Sequence, residues 1–261
     1  MGGTTRLLLL LWAGVTVSTA LNLQKRIING HDCDAAERQY HVKLIGSNLM
    51  YDYKCGGSLI SDQWILTASH CDHWFTEANI GVHPGPGNGK KIKSFSKIFK
   101  EKKNFIMKKK HDIMLLKLPE TTQIQPVALP DEQDCNTRHN IRSFQIAGHG
   151  ATTKDPKKGV DDPAKLQCAD IPVMDCTDVI NCMKKNAPKF YEEYGSQHWF
   201  CGQSDHVATT SGDSGGGVVH DGKIYGVISF TGAASPNCVA SAGFMDVCDY
   251  LSWIKETAGI P

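Results

Sequence analysis

No apolar run in this 261-residue chain is long enough to cross a bilayer: the longest, from Leu7 to Val15, falls well short of the roughly 20 residues that a spanning helix needs. Neither charge sign dominates, with 28 Lys and Arg against 27 Asp and Glu, which excludes wholesale attraction to nucleic acid. There is no Asn-x-Ser/Thr triplet, so acceptors for N-linked glycans are missing. Internal repeats and low-complexity tracts are absent too, which excludes solenoids and disordered tails. Helical periodicity is scarce, and only Tyr250–Thr257, with Tyr250, Leu251 and Ile254 at helical spacing, reads as a helix.

What the chain has in excess is cysteine. Ten residues, an even number, point to an oxidising compartment where bridges form and persist. The N-terminus agrees: Arg6 precedes the apolar run, and Ser18-Thr19-Ala20 offers small residues to a signal peptidase. Residues 1–20 therefore read as a signal peptide, and the mature protein as secreted and extracellular. Lys25-Arg26 then stands before Ile27-Ile28-Asn29-Gly30, as an exposed processing site would. The expected organisation is a signal peptide (1–20), an activation propeptide (21–26) and one mature domain (27–261). The mature part would carry 25 basic and 27 acidic residues, yet Lys90–Lys110 alone holds ten Lys and one Glu. Two readings fit that segment. Its lysines either keep a strand edge from pairing with another chain or form a docking face for a polyanion such as a sulfated glycan, with salt-sensitive affinity.

Short runs rich in apolar and β-branched residues, Tyr40–Ile45, Trp64–Ala68, Ile113–Leu118, Phe144–Ala147 and Ile224–Phe230, are bounded by Gly, Pro, Asn and Asp and read as strands. Many short strands with turn punctuation mean an all-β sandwich or barrel. Gly81–Gly89, with Pro84 and Pro86, reads as a loop.

Three motifs carry chemistry when taken together. Thr67-Ala68-Ser69-His70-Cys71 places a His at a strand end, and Asp112 heads the apolar strand His111-Asp112-Ile113-Met114-Leu115-Leu116. Gly212-Asp213-Ser214-Gly215-Gly216 surrounds a Ser with glycines that free backbone amides to approach a ligand. A Ser hydroxyl is a weak nucleophile until an imidazole takes its proton. The imidazole in turn needs a carboxylate on its other nitrogen to fix its tautomer and stabilise the charge it gains. Ser214, His70 and Asp112 supply those groups. The amides of Gly212 and Ser214 supply donors for the oxyanion of an acyl-transfer intermediate, worth roughly 3–4 kcal/mol per donor.

With these residues in this chain order, and Arg26 ahead of Ile27-Ile28-Asn29-Gly30, the sequence resembles the chymotrypsin/trypsin family of secreted serine endopeptidases from about Ile27 to its end. Cys55-Gly56-Gly57-Ser58-Leu59-Ile60, Trp64–Cys71 and Tyr250-Leu251-Ser252-Trp253-Ile254 carry the likeness further. The resemblance implies an all-β fold of two packed antiparallel six-stranded β-barrels with a C-terminal α-helix. His70 and Asp112 would come from the first barrel and Ser214 from the second. It also implies zymogen activation: a cut after Arg26 would give Ile27 a charged amine that pairs with Asp213 and orders the oxyanion hole, since a buried carboxylate without its partner is costly.

Carried over residue by residue, the resemblance pairs Cys33 with Cys168, Cys55 with Cys71, and Cys135 with Cys248. Cys201 would pair with either Cys176 or Cys182, and the other would be left for Cys238. Ala208, Thr209, Ser229, Phe230, Thr231 and Gly243 would form the primary pocket. Ala208 stands where trypsin-like members carry the Asp that selects Arg and Lys. Without a carboxylate, burial of a substrate cation is costly, so small or medium apolar residues are expected before the scissile bond. Thr231 would narrow the entrance. Val82–Lys100 contains no Asp or Glu, so the calcium ligands of some members are missing, and His70-Cys71-Asp72-His73 is too contiguous to close on one ion. No metal and no cofactor are expected. Ser69 stands where Ala is common, Gly217 where Pro is usual and His149 where Trp is frequent. The expected partners are protein or peptide substrates, an activating protease and a heparin-like polyanion at Lys90–Lys110, with no nucleic acid, no membrane span and a monomeric state. The competing class is a protease-like binding protein without turnover that acts through its lysine-rich face.

Overall fold

The computed structural model describes residues 27, 30–47, 52–72, 75–85, 92–93, 95–102, 108–150, 165–204, 209, 212–231 and 241–261. The expected signal peptide and propeptide, with Arg26, lie outside them, as do Ala208 and Cys238. The first half runs through β1 (His31–Asp32), β2 (His41–Ser47), β3 (Asp52–Leu59), β4 (Trp64–Thr67), β5 (Phe75–Asn79), β6 (Ile92–Lys93), β7 (Phe95–Lys102) and β8 (Lys108–Lys117). In the second half α1 (Glu132–Thr137) leads into β9 (Ser143–Gly148) and β10 (Gln167–Met174). The helices α2 (Thr177–Asn186) and α3 (Pro188–Tyr194) follow, then β11 (Trp199–Gln203), β12 (Gly217–His220), β13 (Lys223–Thr231), β14 (Ser241–Asp246) and α4 (Val247–Ala258).

Each of the five runs expected as strands falls on one: β2, β4, β8, β9 and β13. β4 is buried at every position, which is why it reads as a continuous apolar run rather than an alternating one. The helices α1, α2 and α3 were not anticipated. α2 buries only Val179 and Met183, four residues apart, so its apolar stripe is too thin to stand out from a polar background.

The strands form two antiparallel sheets. One has the order β6-β5-β2-β3-β4-β8-β7. The other runs β10-β11-β14-β13-β12-β9, and β9 returns to pair with β10 from Gln167↔Gly148 to Pro172↔Ser143, closing a six-stranded barrel. β1 adds to one end of β10 at His31↔Cys168. A single apolar core joins Leu66 and Leu115 of the first sheet to Val227 and Met245 of the barrel and to Tyr250 and Ile254 of α4. That helix is capped by the Asp246 side chain, which accepts from the Cys248 amide, and stops at left-handed Gly259.

Cys33–Cys168, Cys55–Cys71 and Cys135–Cys248 form as the resemblance implied. Cys176–Cys201 is the fourth bridge, and it resolves the alternative left open for Cys201 by tying the start of α2 to β11. Cys182 is disulfide-bonded as well.

Candidate active site

β4 ends at Thr67, and the chain passes through extended Ala68 into a single 3₁₀ turn at Ser69–Cys71, held by the Cys55–Cys71 bridge. The turn presents His70, with 43% of its side chain exposed, to an Asp112 side chain that is 8% exposed. The His70 Nδ1 lies 2.9 Å from Asp112 Oδ2 and 3.0 Å from Oδ1. The same carboxylate accepts from the His70 amide at 2.9 Å and the Ser69 hydroxyl at 3.2 Å on Oδ1, and from the Ser229 hydroxyl at 2.5 Å on Oδ2. Ser69, in place of the commoner Ala, is thus an added donor to the acid. Burial alone would lower the His70 pKa, but its hydrogen bonds to Asp112 and that residue's charge outweigh burial and raise it above 6.5.

Ser214 sits on a turn flanked by Gly212 at φ 102° and Gly215 at φ 82°, a region that side chains with a Cβ rarely adopt. A Cβ at Gly215 would lie 2.2 Å from Thr67 Oγ1 and 2.4 Å from the Gly56 carbonyl, so a glycine is required for this turn to press against the first sheet. The Gly56 amide donates to the Ser214 carbonyl at 2.7 Å, and the Gly215 amide donates to Ile228 at 2.7 Å. The Cys71 sulfur lies 3.8 Å from that Ser214 carbonyl, which brings the His70 turn and the Ser214 turn side by side. Among the described residues, no hydrogen bond links the His70 ring to the Ser214 hydroxyl. Such bonds commonly tighten only when substrate is bound.

Asp213 points the other way, fully buried, and its Oδ1 accepts from the Gly150 amide at 2.7 Å. Ile27 is fully buried in the barrel core with Phe144, Ile146 and Ile171, a burial worth about 1.5–3 kcal/mol. His149 is buried against His41, with 3.4 Å between Nδ1 and Nε2. Burial first, and then His149, push the His41 pKa well below its ordinary value.

Of the expected pocket residues, Thr209 and Ser229 are buried. The β13–β14 register sets Thr231 opposite Ala242 and Phe230 opposite Gly243. A Cβ at Gly243 would meet the Phe230 ring at 2.1 Å, and that ring also lies against Trp199 and Phe190, with centroids 5.0 and 6.3 Å away. The Gly243 position therefore makes room for Phe230. Ala242, which the sequence reading passed over, is the residue across from Thr231. Neither the second role of Ser229, as a donor to Asp112, nor the contact of Gln197 is announced by the sequence. The Gln197 side-chain oxygen accepts from the Asp112 amide at 2.7 Å, and no local motif announces a contact across 85 residues.

The site and the fold agree with what comparison finds. The Trypsin family model matches residues 27–254, and the chain belongs to that family. Trypsin-4 of Rattus norvegicus is 31% identical, over 94% of this chain and 94% of its own. Kallikrein-15 of Homo sapiens is 26% identical, over 96% and 98%. Among solved structures, an HL collagenase aligns with 90% of this chain and 99% of its own at a TM-score of 0.68 and 27% identity. Neuropsin, a serine protease expressed in mouse brain, shares the fold at a TM-score of 0.64 and 24% identity. The chain is a serine-type endopeptidase, of a family whose members are typically secreted as zymogens. Among the described residues, no helix is long and apolar enough to cross a membrane.

Proposed function

We propose that this protein is a zymogen-activated serine endopeptidase with Ser214 as nucleophile, His70 as general base and Asp112 as the acid that orients it. The observation that carries the reading is the His70–Asp112 pair, paired through both carboxylate oxygens, with the Ser214 turn docked beside it. In this mechanism His70 takes the hydroxyl proton as Ser214 attacks the peptide carbonyl, and the amides of Gly212 and Ser214 receive the oxyanion. His70 then gives the proton to the leaving amine, and water hydrolyses the acyl-enzyme by the same route in reverse. Cleavage after Arg26 would free the Ile27 amine for Asp213, and the burial of both residues supports that step. If Ala208 forms the pocket floor, as the resemblance implies, and with Ala242 set opposite Thr231 by the strand register, the preference would be for small or medium apolar residues rather than basic ones.

The test is fluorophosphonate labelling before and after cleavage at Arg26, followed by a peptide-library profile. Labelling is expected only after cleavage and only while Ser214 is present, so a Ser214→Ala chain stays unlabelled. Equal labelling of an Arg26→Gln chain would refute zymogen control. No labelling of the processed wild type would refute turnover.

One observation supports the second reading, a partner-binding role for the lysine-rich segment. β7 and β8 form a hairpin at the end of the first sheet, and its register sets exposed Lys100 opposite exposed Lys110. Like charges directly opposite are destabilising, and a bound polyanion would relieve them. Elution from a heparin column later than a Lys-depleted variant, and earlier as salt rises, is the expected result.

A further inference from the structure

We propose that Gln197 is a positioning residue for the catalytic carboxylate, a role that rests on Asp112 being the acid of the triad. Every contact described for the Asp112 side chain fixes its oxygens, and none fixes the peptide unit that carries it. Strand pairing does not do so either. The β4 ladder on β8 ends at Thr67↔Met114, and the β7 ladder breaks at a bulge between Ile98↔Met114 and Lys100↔Lys110. Asp112 lies in that interval, and its amide donates instead to the Gln197 side-chain oxygen at 2.7 Å in a buried setting. An unmade bond there would leave a buried donor without a partner, and the strand would gain freedom to shift.

The chain that carries Gln197 is held on both sides, although the side-chain Nε2 of Gln197 is buried without a hydrogen-bond partner among the described residues. Its amide donates to the Tyr194 carbonyl at the end of α3, and its neighbour His198 accepts from the Asp246 amide and donates from its own amide to the Tyr250 hydroxyl at 3.2 Å. The same hydroxyl lies 2.8 Å from Nδ1 of His111, the neighbour of Asp112. Two parallel links therefore run between β8 and the segment that leads into β11: Asp112 to Gln197 directly, and His111 to His198 through Tyr250. The helical pair α2 and α3, bridged to β11 by Cys176–Cys201, anchors the far end of the direct link. The stiffness of the proposed acid thus depends on a segment far from it in sequence.

The test uses the processed chain, with every rate divided by the fraction of sites that fluorophosphonate labels, so misfolded protein does not count. Gln197→Met keeps the bulk and removes the acceptor. Its kcat is expected to fall between about 10- and 100-fold with KM unchanged. The acid limb of its pH profile should move to lower pH, because a loosened Asp112 supports the His70 charge less well. Gln197→Glu keeps an acceptor and adds negative charge, so its acid limb is expected to move to higher pH. A kcat loss and downward shift in Gln197→Met, with kcat restored in Gln197→Glu, support the role, and if Gln197→Met does not fold, Gln197→Leu, which also lacks the acceptor, takes its place. Wild-type kcat per labelled site and an unmoved acid limb in the acceptor-free variant would overturn the positioning role while leaving the triad standing. A wild type that does not label would overturn the triad reading, and the role of Gln197 with it.

Discussion

The His70–Asp112 pair carried by the first half is held through side chains from both halves, with hydroxyls from Ser69 and from Ser229 of the barrel and the side-chain oxygen of Gln197 closing around the aspartate, whereas the Ser214 turn of the barrel is held by main-chain bonds, from Gly56 of the first sheet and to Ile228 of the barrel. The two arrangements respond differently to change. A side-chain cage can gain or lose a member and shift the electrostatics by degrees, as Ser69 does by adding a donor. A main-chain turn with glycines at positive φ has no such latitude, because one added carbon has nowhere to go.

The largest effect should come from testing the barrel side of that contrast. Gly215→Ala places a Cβ against Thr67 Oγ1 and the Gly56 carbonyl, and the carbonyl belongs to a strand that cannot move aside. A loss of at least about 100-fold in kcat/KM is expected, with labelling of Ser214 slowed in parallel. Retained activity would mean that the turn can shift without cost and that the Ser214 turn is as adaptable as the cage around Asp112.

A second experiment sharpens the first-sheet side. With His70 acting as base, activity should rise with pH through a midpoint above 6.5, since Asp112 outweighs burial and raises the imidazole pKa. Stability should run the other way. A pKa raised on folding adds stability that is fully present below the unfolded value and is lost as pH climbs through the folded one. Urea melts of wild type and Asp112→Asn across this window should therefore converge toward alkaline pH while wild-type turnover increases. A turnover midpoint at or below 6.5 would contradict the geometry.

The smallest effect concerns the lysine hairpin. Lys100→Glu turns the exposed pair with Lys110 into one of opposite sign, and a gain of about 0.2–1 kcal/mol is expected at low salt, fading in molar salt, with kcat/KM unchanged. An unchanged melt would mean that the lysines already avoid one another.

The proposed triad was legible because each member lies in a contiguous motif whose chemistry follows from a few neighbours: His70 at a strand end, Asp112 at a strand head, Ser214 among glycines. Three of the bridges followed from resemblance, but Cys176 and Cys182 lie too close together on one helical segment for spacing to choose between them. Ala242 escaped because only the β13–β14 register shows that it, and not Gly243, faces Thr231. Gln197 escaped for a deeper reason. Its contact joins segments 85 residues apart through a single side chain, and nothing nearby in sequence distinguishes it from a surface amide. The helix α2 was hidden by its thin apolar stripe, and α3 is a short helix with no buried residue to mark it.

The Ser214 turn has one neighbour on each side: Gly56 of the first sheet donates to its carbonyl, and Ile228 of the barrel receives the amide next to it. The proposed nucleophile is therefore a gauge of the seam between the two halves. A parting of about 1 Å would cut turnover on the order of 100-fold. The strands and bridges would stay intact, so circular dichroism would record a native fold while a substrate assay recorded the loss.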